Sequence, residues 1–410
     1  MRARLTAALA VLVIAGAAAT AIAAAQAPEA AFSRVEILPV PTSQTLLGVH
    51  FPDALHGYAV GGFGVVVATK DGGKTWVQQK SGVEAPFVPG EPTTALRSVS
   101  FSDSLRGWAV GDHMVSTSDG GATWVEQPLP PINDRQAPRP WSDPENHYLK
   151  WSFLDVQFMD ARNGYLVGAG GTMFSTSDGG ASWVWHGDSR YGNVWEVSFT
   201  DRQHGRVVGG AGPNAYATMW TADGGATWTS DPARDAGPQV PSTSFETMSF
   251  VDRERGYIAS SAGRILVTAD GGRNWSVQRK DTTETFYGLD FADARRGAAV
   301  GYLDIGERRK AAIVTTGDGG ETWVPRPVDA AIVWDVTFAE PTIAYAVGCE
   351  VFAETCQKSL IVRITFPSAP PAASGGGFAV PLPFLVVGGV LVAALTWILV
   401  VRRRPMGERH

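Results

Sequence analysis

The stretch Asp71-Gly72-Gly73-Lys74-Thr75-Trp76 occurs six times in variant form, as Asp-Gly-Gly, a variable residue, Thr, Ser or Asn, and Trp. Copies recur at intervals typical of repeated supersecondary units. The Asp carboxylate can accept hydrogen bonds from the turn's own amides, and the glycines tolerate positive φ. The Trp that follows has a large ring to bury. Each copy therefore predicts a β-hairpin, with structural roles for Asp71, Trp76, Asp119, Trp124, Asp178, Trp183, Asp223, Trp228, Asp270, Trp275, Asp318 and Trp323.

A second repeat precedes each turn and reads Phe, one residue, Asp, three residues, Gly. The first copy is Phe51, Asp53 and Gly57, and a seventh, degenerate copy is Phe338, Glu340 and Ala344. Apolar residues alternate with others before each Phe, which is typical of a strand packed on one face. A second apolar strand follows each Gly. Together the two repeats predict four strands per unit.

Seven such units predict an all-β fold, a seven-bladed β-propeller of four-stranded antiparallel blades spanning residues 33–366. The last unit has no Asp-Gly-Gly turn, and its third strand is expected near residues 360–364. Residues 34–40 resemble a strand without a partner nearby. We therefore expect the N-terminal strand to complete the last blade and remove an exposed edge.

The two ends of the chain indicate export and membrane attachment. Residues 1–27 carry two arginines, an apolar stretch and small residues, as a signal peptide does, although an uncleaved anchor would look similar. Residues 367–377 have linker composition, and the uncharged residues 378–401 are long enough for a transmembrane helix. Three arginines open the tail 402–410, which predicts a single-pass cell-membrane protein with its propeller on the extracytoplasmic side. A cleaved sorting tail is the alternative.

Charge and cysteine content narrow the possible partners. The formal charge of −6 argues against nucleic acid. Cys349 and Cys356 are the only cysteines and flank a short loop, so we expect a disulfide in an oxidising compartment. The seven histidines show no metal-ligand spacing, and no cofactor motif is present, so neither a metal nor a cofactor is expected.

The two repeats together resemble the photosystem II assembly and stability factors, seven-bladed propellers that face the thylakoid lumen. The resemblance covers about residues 33–366 and depends on pairing the Phe/Asp/Gly motif with the Asp-Gly-Gly turn, since sialidases and xyloglucanases share the turn alone. It implies a chaperone-like, non-catalytic role in photosynthesis, in which an arginine-rich surface binds a reaction-centre subunit. The expected partner is a protein or peptide of a membrane or envelope complex.

The irregular sequence lies in loops opposite the Asp-Gly-Gly turns. The longest insertion runs from residue 127 to 150, and insertions of that length are usually functional or disordered. Exposed arginines and aromatics are typical binding anchors. A solvated, variable loop is the alternative. The candidate binding residues are Arg135, Arg139, Trp141, His147, Tyr148, Arg190, Tyr191, Arg308 and Arg309.

An enzyme is the competing hypothesis. A glycan-binding or sialidase-like glycoside hydrolase ectodomain would need two opposed carboxylates, and Asp143, Glu145 and Glu284 are candidates if they converge. The sequence contains no Gly-x-Ser-x-Gly elbow and no His-Glu-x-x-His motif. The sequence thus favours a binding protein without catalytic residues.

Overall fold

The computed structural model describes residues 33–84, 94–130, 153–187, 192–210, 218–230, 245–306, 309–352 and 356–368. These residues form seven four-stranded sheets in which neighbouring strands are antiparallel. Ala169–Gly171 forms a short 3-10 turn. The predicted all-β, seven-bladed propeller is confirmed.

The first three blades run in chain order from their innermost to their outermost strand. Blade 1 contains β2 (Leu46–His50), β3 (Gly57–Gly61), β4 (Val66–Thr69) and β5 (Val77–Gln79). Blade 2 contains β6 (Leu96–Phe101), β7 (Gly107–Gly111), β8 (Met114–Thr117) and β9 (Val125–Glu126). Blade 3 contains β10 (Phe153–Phe158), β11 (Gly164–Gly168), β12 (Thr172–Thr176) and β13 (Val184–Trp185).

The next three blades follow the same order. Blade 4 contains β14 (Val194–Phe199), β15 (Gly205–Gly209), β16 (Thr218–Thr221) and β17 (Thr229–Ser230). Blade 5 contains β18 (Phe245–Phe250), β19 (Gly256–Ser260), β20 (Arg264–Thr268) and β21 (Ser276–Lys280). Blade 6 contains β22 (Glu284–Phe291), β23 (Gly297–Asp304), β24 (Arg309–Thr316) and β25 (Val324–Pro325).

Blade 7 joins the two ends of the propeller. It contains β26 (Ile332–Glu340), β27 (Ile343–Phe352), β28 (Cys356–Thr365) and, at its outer edge, β1 (Arg34–Leu38). The register pairs Arg34 with Thr365 and Leu38 with Ile361. The N-terminal strand therefore completes the last blade, as predicted, although the third strand starts earlier than residue 360.

Each Asp-Gly-Gly turn is closed by its own side chains. In blade 1, Asp71 Oδ1 accepts a hydrogen bond from the Thr75 amide at 2.9 Å, and Oδ2 accepts from the Thr75 hydroxyl at 2.6 Å. Thr69 Oγ1 donates to Asp71 and accepts from the Gly73 amide at 2.9 Å. Gly72 and Gly73 have φ values of 68° and 75°, which favour glycine. Equivalent bonds close the other five turns.

Aromatic rings join one blade to the next. Tyr58 of blade 1 stacks on Phe101 of blade 2 with centroids 3.7 Å apart, and Trp124 meets the same Phe ring edge-on at 5.8 Å. The Tyr58 hydroxyl donates to the carbonyl of Gly120 in the next turn. Gly107 begins the strand after Phe101 because a Cβ there would lie 2.4 Å from that ring. The Phe, Gly, Tyr and Trp positions of the repeats thus form one packing unit.

Two blades lack the stacking aromatic. In blade 4, Arg206 takes the position of the Tyr and lies 4.7 Å from the Phe250 centroid. In blade 6 the residue is Ala298, and Phe366 packs on Phe338 of blade 7 instead, with centroids 5.1 Å apart. The repeat therefore tolerates different ways of filling the same inter-blade gap.

The sequence-predicted terminal segments fall outside this fold. Residues 1–27 and 378–401 lie beyond the described ranges, as does all but the first two residues of the linker 367–377. No helix within the described ranges is long and apolar enough to cross a membrane.

Candidate functional site

The propeller has two chemically different faces. The turn after each Phe motif bonds to the Asp-Gly-Gly turn of the same blade, as in the 2.9 Å bond from the Gly72 amide to the Leu55 carbonyl. Both turn types therefore share one face, here called the turn face. Each innermost strand runs toward that face, so its first residues lie near the opposite end. We call that opposite end the loop face, because the inter-blade connections reach it.

A β-bulge interrupts every innermost strand near the loop face. In blade 1 the pairing register shifts between Leu46 and Gly48, and the same shift recurs in the other six blades. A bulge re-aims the extra side chain. The seven bulged residues, here called the bulge ring, all line the central channel: Leu47, Arg97, Leu154, Trp195, Glu246, Tyr287 and Trp334.

The central channel is an open cavity of about 500 Å³ enclosed by the seven innermost strands. Below the bulge ring, the channel wall carries four acids. Asp155, Glu196 and Asp335 each directly follow a bulged residue, and Asp290 lies three residues after the bulged Tyr287. These acids were not among the sequence-predicted site residues. The repeats could have located them, because they occupy the alternate positions inside the Leu-x-Val-x-Phe pattern.

Polar side chains of each innermost strand bond to the backbone of the following blade. Asp155 of blade 3 accepts from the Val197 amide of blade 4 at 2.9 Å, and Glu196 of blade 4 accepts from the Met248 amide of blade 5 at 3.0 Å. Asp335 of blade 7 accepts from the Val49 amide of blade 1 at 2.8 Å. The acids therefore satisfy edge amides that would otherwise face the channel unpaired.

Burial controls the protonation of these channel acids. Desolvation raises the pKa of Asp335 to about 7 and that of Asp290 to about 6, against the amide hydrogen bonds that favour the charged forms. The pKa values of Glu196 and Asp155 are also raised by burial. Burial lowers the pKa of His50, in the same channel, to about 4, so His50 is neutral at pH 7. The channel wall is thus acidic and poor in compensating positive charge.

An aromatic patch lies where blades 6 and 7 meet the loop face. Tyr287 and Trp334 of the bulge ring have centroids 4.8 Å apart, and Tyr302 lies 6.0 Å from Tyr287. The Arg309 guanidinium lies 4.5 Å from the centroid of Tyr302. We call these four residues the blade 6/7 patch. It combines flat apolar rings with one exposed cation, the composition of a binding anchor.

The hairpins between the second and third strands of blades 6 and 7 are longer than those of blades 1 to 5. Strands β23 and β24 have eight residues each, and β27 and β28 have ten each. Cys349 and Cys356 form a disulfide between β27 and β28. Ile305 and Val351, near the two hairpin ends, are exposed. The long hairpins therefore extend the loop face beside the channel.

The structure places only part of the predicted binding set. Arg309 lies in the blade 6/7 patch. The other eight predicted residues lie outside the described ranges: Arg135, Arg139, Trp141, His147, Tyr148, Arg190, Tyr191 and Arg308.

The carboxylate convergence that a hydrolase would need stays a prediction, because only one of its three acids lies in the described ranges. Glu284 is buried and forms a two-bond ion pair with Arg279, with distances of 2.7 and 2.8 Å. Asp143 and Glu145 lie outside the described ranges. Among the described residues, no group of three or more His, Cys, Asp or Glu side chains could hold a metal ion.

Comparisons by sequence point to one family. A family model described as photosynthesis system II assembly factor YCF48 matches residues 27–132 and 188–280. The photosystem II assembly lipoprotein Ycf48 of Synechococcus sp. (strain CC9902) is 32% identical over 139 residues. That alignment covers 34% of this chain and 38% of the relative's length.

Comparisons by structure show the fold. A solved structure described as YCF48 bound to D1 peptide has 21% identity and a TM-score of 0.56, covering 81% of this chain and 96% of the other. The GH74 xyloglucanase of Xanthomonas campestris has 12% identity and a TM-score of 0.55, covering 80% of this chain and 55% of the enzyme. Both are propellers similar to this chain in architecture.

Proposed function

Because this chain is a photosystem II assembly factor-like propeller, we propose that it is a non-catalytic protein that binds a protein or peptide partner through its loop face. The similar structure described as bound to a D1 peptide supports a peptide partner for this type of propeller. The blade 6/7 patch is the observation that locates the binding site. Its three aromatic rings and Arg309 lie together beside the channel mouth. The partner is a subunit of a membrane or envelope complex.

Photo-crosslinking in membranes tests this proposal. The full chain carries p-benzoylphenylalanine in place of Tyr302 in one variant and in place of Val125 in the control. Val125 lies on the outer strand β9, and it is 58% exposed. We expect a discrete crosslinked protein from position 302 and none from position 125. Equal crosslinking at both positions, or none at 302, contradicts the proposed surface.

The contribution of the patch can be measured in the same preparation. Tyr302→Ala combined with Arg309→Ala removes one ring and the only cation of the patch, so a crosslink placed at nearby Ile305 should fall at least tenfold. Hot-spot residues at interfaces typically contribute 2 kcal/mol or more, which corresponds to a change of that size. An unchanged yield would place the partner elsewhere on the propeller.

The described carboxylates favour this function over a glycoside hydrolase. A hydrolase needs one acid and one base free to act on a glycosidic bond. In the channel, Asp155, Glu196 and Asp335 each accept a hydrogen bond from the neighbouring blade's backbone. Glu284 is held by Arg279. These acids therefore have structural tasks that a catalytic pair would not share.

We also infer that the propeller is exported and anchored by residues 378–401. The disulfide fits an oxidising compartment, and a relative described as a lipoprotein supports membrane association in this group. Carbonate extraction should leave the full chain in the membrane pellet and release a variant that ends at residue 377. Protease added to intact cells or spheroplasts should cleave the propeller. Protection of the propeller would contradict the inferred side.

A further inference from the structure

We propose that the central channel is a socket for one extended segment of the partner, which enters from the loop face and carries a basic residue among apolar ones. The proposal rests on the proposed function, since it assumes a peptide partner. It goes further by naming where one segment sits and what chemistry that segment has.

The bulge ring supports a binding role for the channel mouth. Elsewhere on the innermost strands the same residue types recur, such as the Phe that ends the motif in all seven blades. The bulged position instead carries two leucines, three aromatics, an arginine and a glutamate. The bulge removes this residue from strand pairing and directs it into the channel. A channel-lining position that holds five residue types in seven blades is suited to recognition.

The size and lining of the channel fit a peptide segment. Its volume of about 500 Å³ lies within the range of small-molecule and cofactor pockets, roughly 300–1,000 Å³, and so can hold a few side chains. Tyr287 and Trp334 present adjoining rings at one side of the mouth, and Trp195 lies on blade 4. Leu47 and Leu154 are half-buried on the other blades. These side chains offer apolar contact to a chain that passes between them.

The charge of the wall supports a basic residue at the inner end of that segment. Asp155, Glu196, Asp335 and Asp290 lie deeper than the bulge ring. The other titratable groups that line the channel are Arg97, Glu246 and Tyr287 in the ring and His50 near the turn face. Asp112 accepts a hydrogen bond from the amide of Ala95, two residues before Arg97, and the charge of Arg97 favours the ionised form of Asp112. Burial raises the pKa values of Asp335 and Asp290, and a cation held beside these carboxylates would favour their charged forms.

A lysine or arginine side chain would meet two favourable environments in turn. At the mouth it would pass the aromatic faces of Tyr287 and Trp334, which attract cations. Deeper in the channel it would approach the carboxylates and favour their charged forms. An acidic segment would meet the opposite field.

Peptide selection on the full chain tests the socket. The probe is a display library of random dodecapeptides, and the selected consensus is then synthesised with a fluorescein label for anisotropy titration. We expect enrichment of Lys or Arg flanked by Leu, Trp or Phe. Enrichment of Asp and Glu, or no enrichment at all, overturns the proposal.

Variants of the channel decide whether the selected peptide binds there. Trp334→Ala should weaken the peptide at least tenfold, whereas Val125→Ala on the outer strand should have no effect. Leu154→Lys adds a cation at the accessible mouth and should weaken binding at least tenfold, while Leu154→Glu should not. Asp290→Asn with Asp335→Asn should weaken the lysine peptide more than its norleucine analogue. Affinity that is unchanged in Trp334→Ala and Leu154→Lys overturns the socket.

The crosslinking experiment separates this inference from the proposed function. If position 302 crosslinks a membrane partner and Leu154→Lys leaves that yield unchanged, the loop face binds its partner without the channel, and the socket is wrong. If Leu154→Lys lowers the yield, the socket is supported. If position 302 crosslinks no protein while the selected peptide still binds the channel, the patch is not the partner's binding surface. The socket is then still supported.

Discussion

Asp335 shows how much a single side chain contributes to closing the propeller. It connects the last blade to the first, because its carboxylate accepts from the Val49 amide across 286 positions of sequence. Its second oxygen accepts from its own neighbour, the Val336 amide, at 2.8 Å. The residue thus gains two hydrogen bonds and loses solvation, and the raised pKa shows that the loss is larger.

The protonation of Asp335 makes the stability of the fold depend on pH. Its pKa is about 7 in the folded protein against 3.8 in the reference state, so the folded form binds more protons between these values. The stabilisation from this proton is therefore complete below pH 3.8 and is lost as pH rises to 7. Asp335→Asn keeps an acceptor for Val49 and does not titrate. We expect the unfolding free energy of the variant minus that of the parent protein to be larger at pH 8 than at pH 5, by on the order of 2 kcal/mol.

Chemical denaturation at the two pH values measures that difference. His50 titrates in the opposite sense but is present in both proteins, so its effect cancels. Asp281→Asn is the control, because Asp281 lies at the surface with a lowered pKa and should show no such difference between pH 5 and pH 8. A gain that is equal at both pH values would show that Asp335 is ionised throughout.

At the scale of the element, each blade junction depends on a ring that crosses it. Tyr58 is fully buried, stacks on Phe101 and donates to Gly120 in the next blade. Tyr58→Phe keeps the stack and loses one hydrogen bond, which should cost about 1 kcal/mol. Tyr58→Ala leaves a cavity between blades and should cost roughly 3–5 kcal/mol. Thermal and urea unfolding measure both, and equal losses would mean that the hydrogen bond dominates.

The blade 7 hairpin offers a second prediction at this scale. The disulfide closes a loop of seven residue steps, for which chain entropy gives roughly 2 kcal/mol. Cys349→Ser with Cys356→Ser should therefore loosen the outer half of β27 and β28. The parts of β27 and β28 farther from the disulfide stay paired with β26 and β1. Amide exchange should therefore quicken mainly near residues 349–358. A uniform increase across blade 7 would show that the bond holds the whole blade.

For the whole molecule, closure depends on a strand of five residues. Deleting residues 33–38 removes β1 and exposes the edge of β28, which favours aggregation. We expect a large fall in melting temperature and association on size-exclusion chromatography. A circular permutant that places residues 33–40 after Phe366 supplies the same strand and should restore a monomeric, stable propeller. A deletion variant as stable as the parent would contradict closure by β1.

Much of this architecture could be predicted from the repeats, for a physical reason. Phe, Gly, Tyr and Trp recur because each blade must fill the same gap, so spacing alone gives seven blades and a missing last strand. The bulges leave no such trace, since Leu47 and Trp334 occupy a position that reads as ordinary strand alternation. The long hairpins also escaped prediction, because the charged residues Asp304, Arg309 and Lys310 in the extensions of β23 and β24 are typical of a loop.

Of the four residues of the blade 6/7 patch, only Arg309 was among the predicted binding residues. The sequence signal for binding came from the composition of loops, whereas the channel is assembled from seven innermost strands that lie far apart in the chain. Trp195 and Trp334 fit the alternation of a strand packed on one face, and that pattern does not predict a side chain in the channel. Only the register shift shows that they face the channel.

Among the described residues, each backbone amide of an innermost strand that donates to a side chain of another innermost strand finds its acceptor on the preceding blade. A blade supplies backbone donors that any sequence provides, and it receives acceptors that only particular side chains of the preceding blade provide. If a blade is exchanged for that of a related propeller, the blade after it can lose its acceptors, whereas the blade before it still finds its donors. A grafted blade should therefore keep the acceptor side chains that the original blade offers to the blade after it, as Asp335 offers its carboxylate to the Val49 amide.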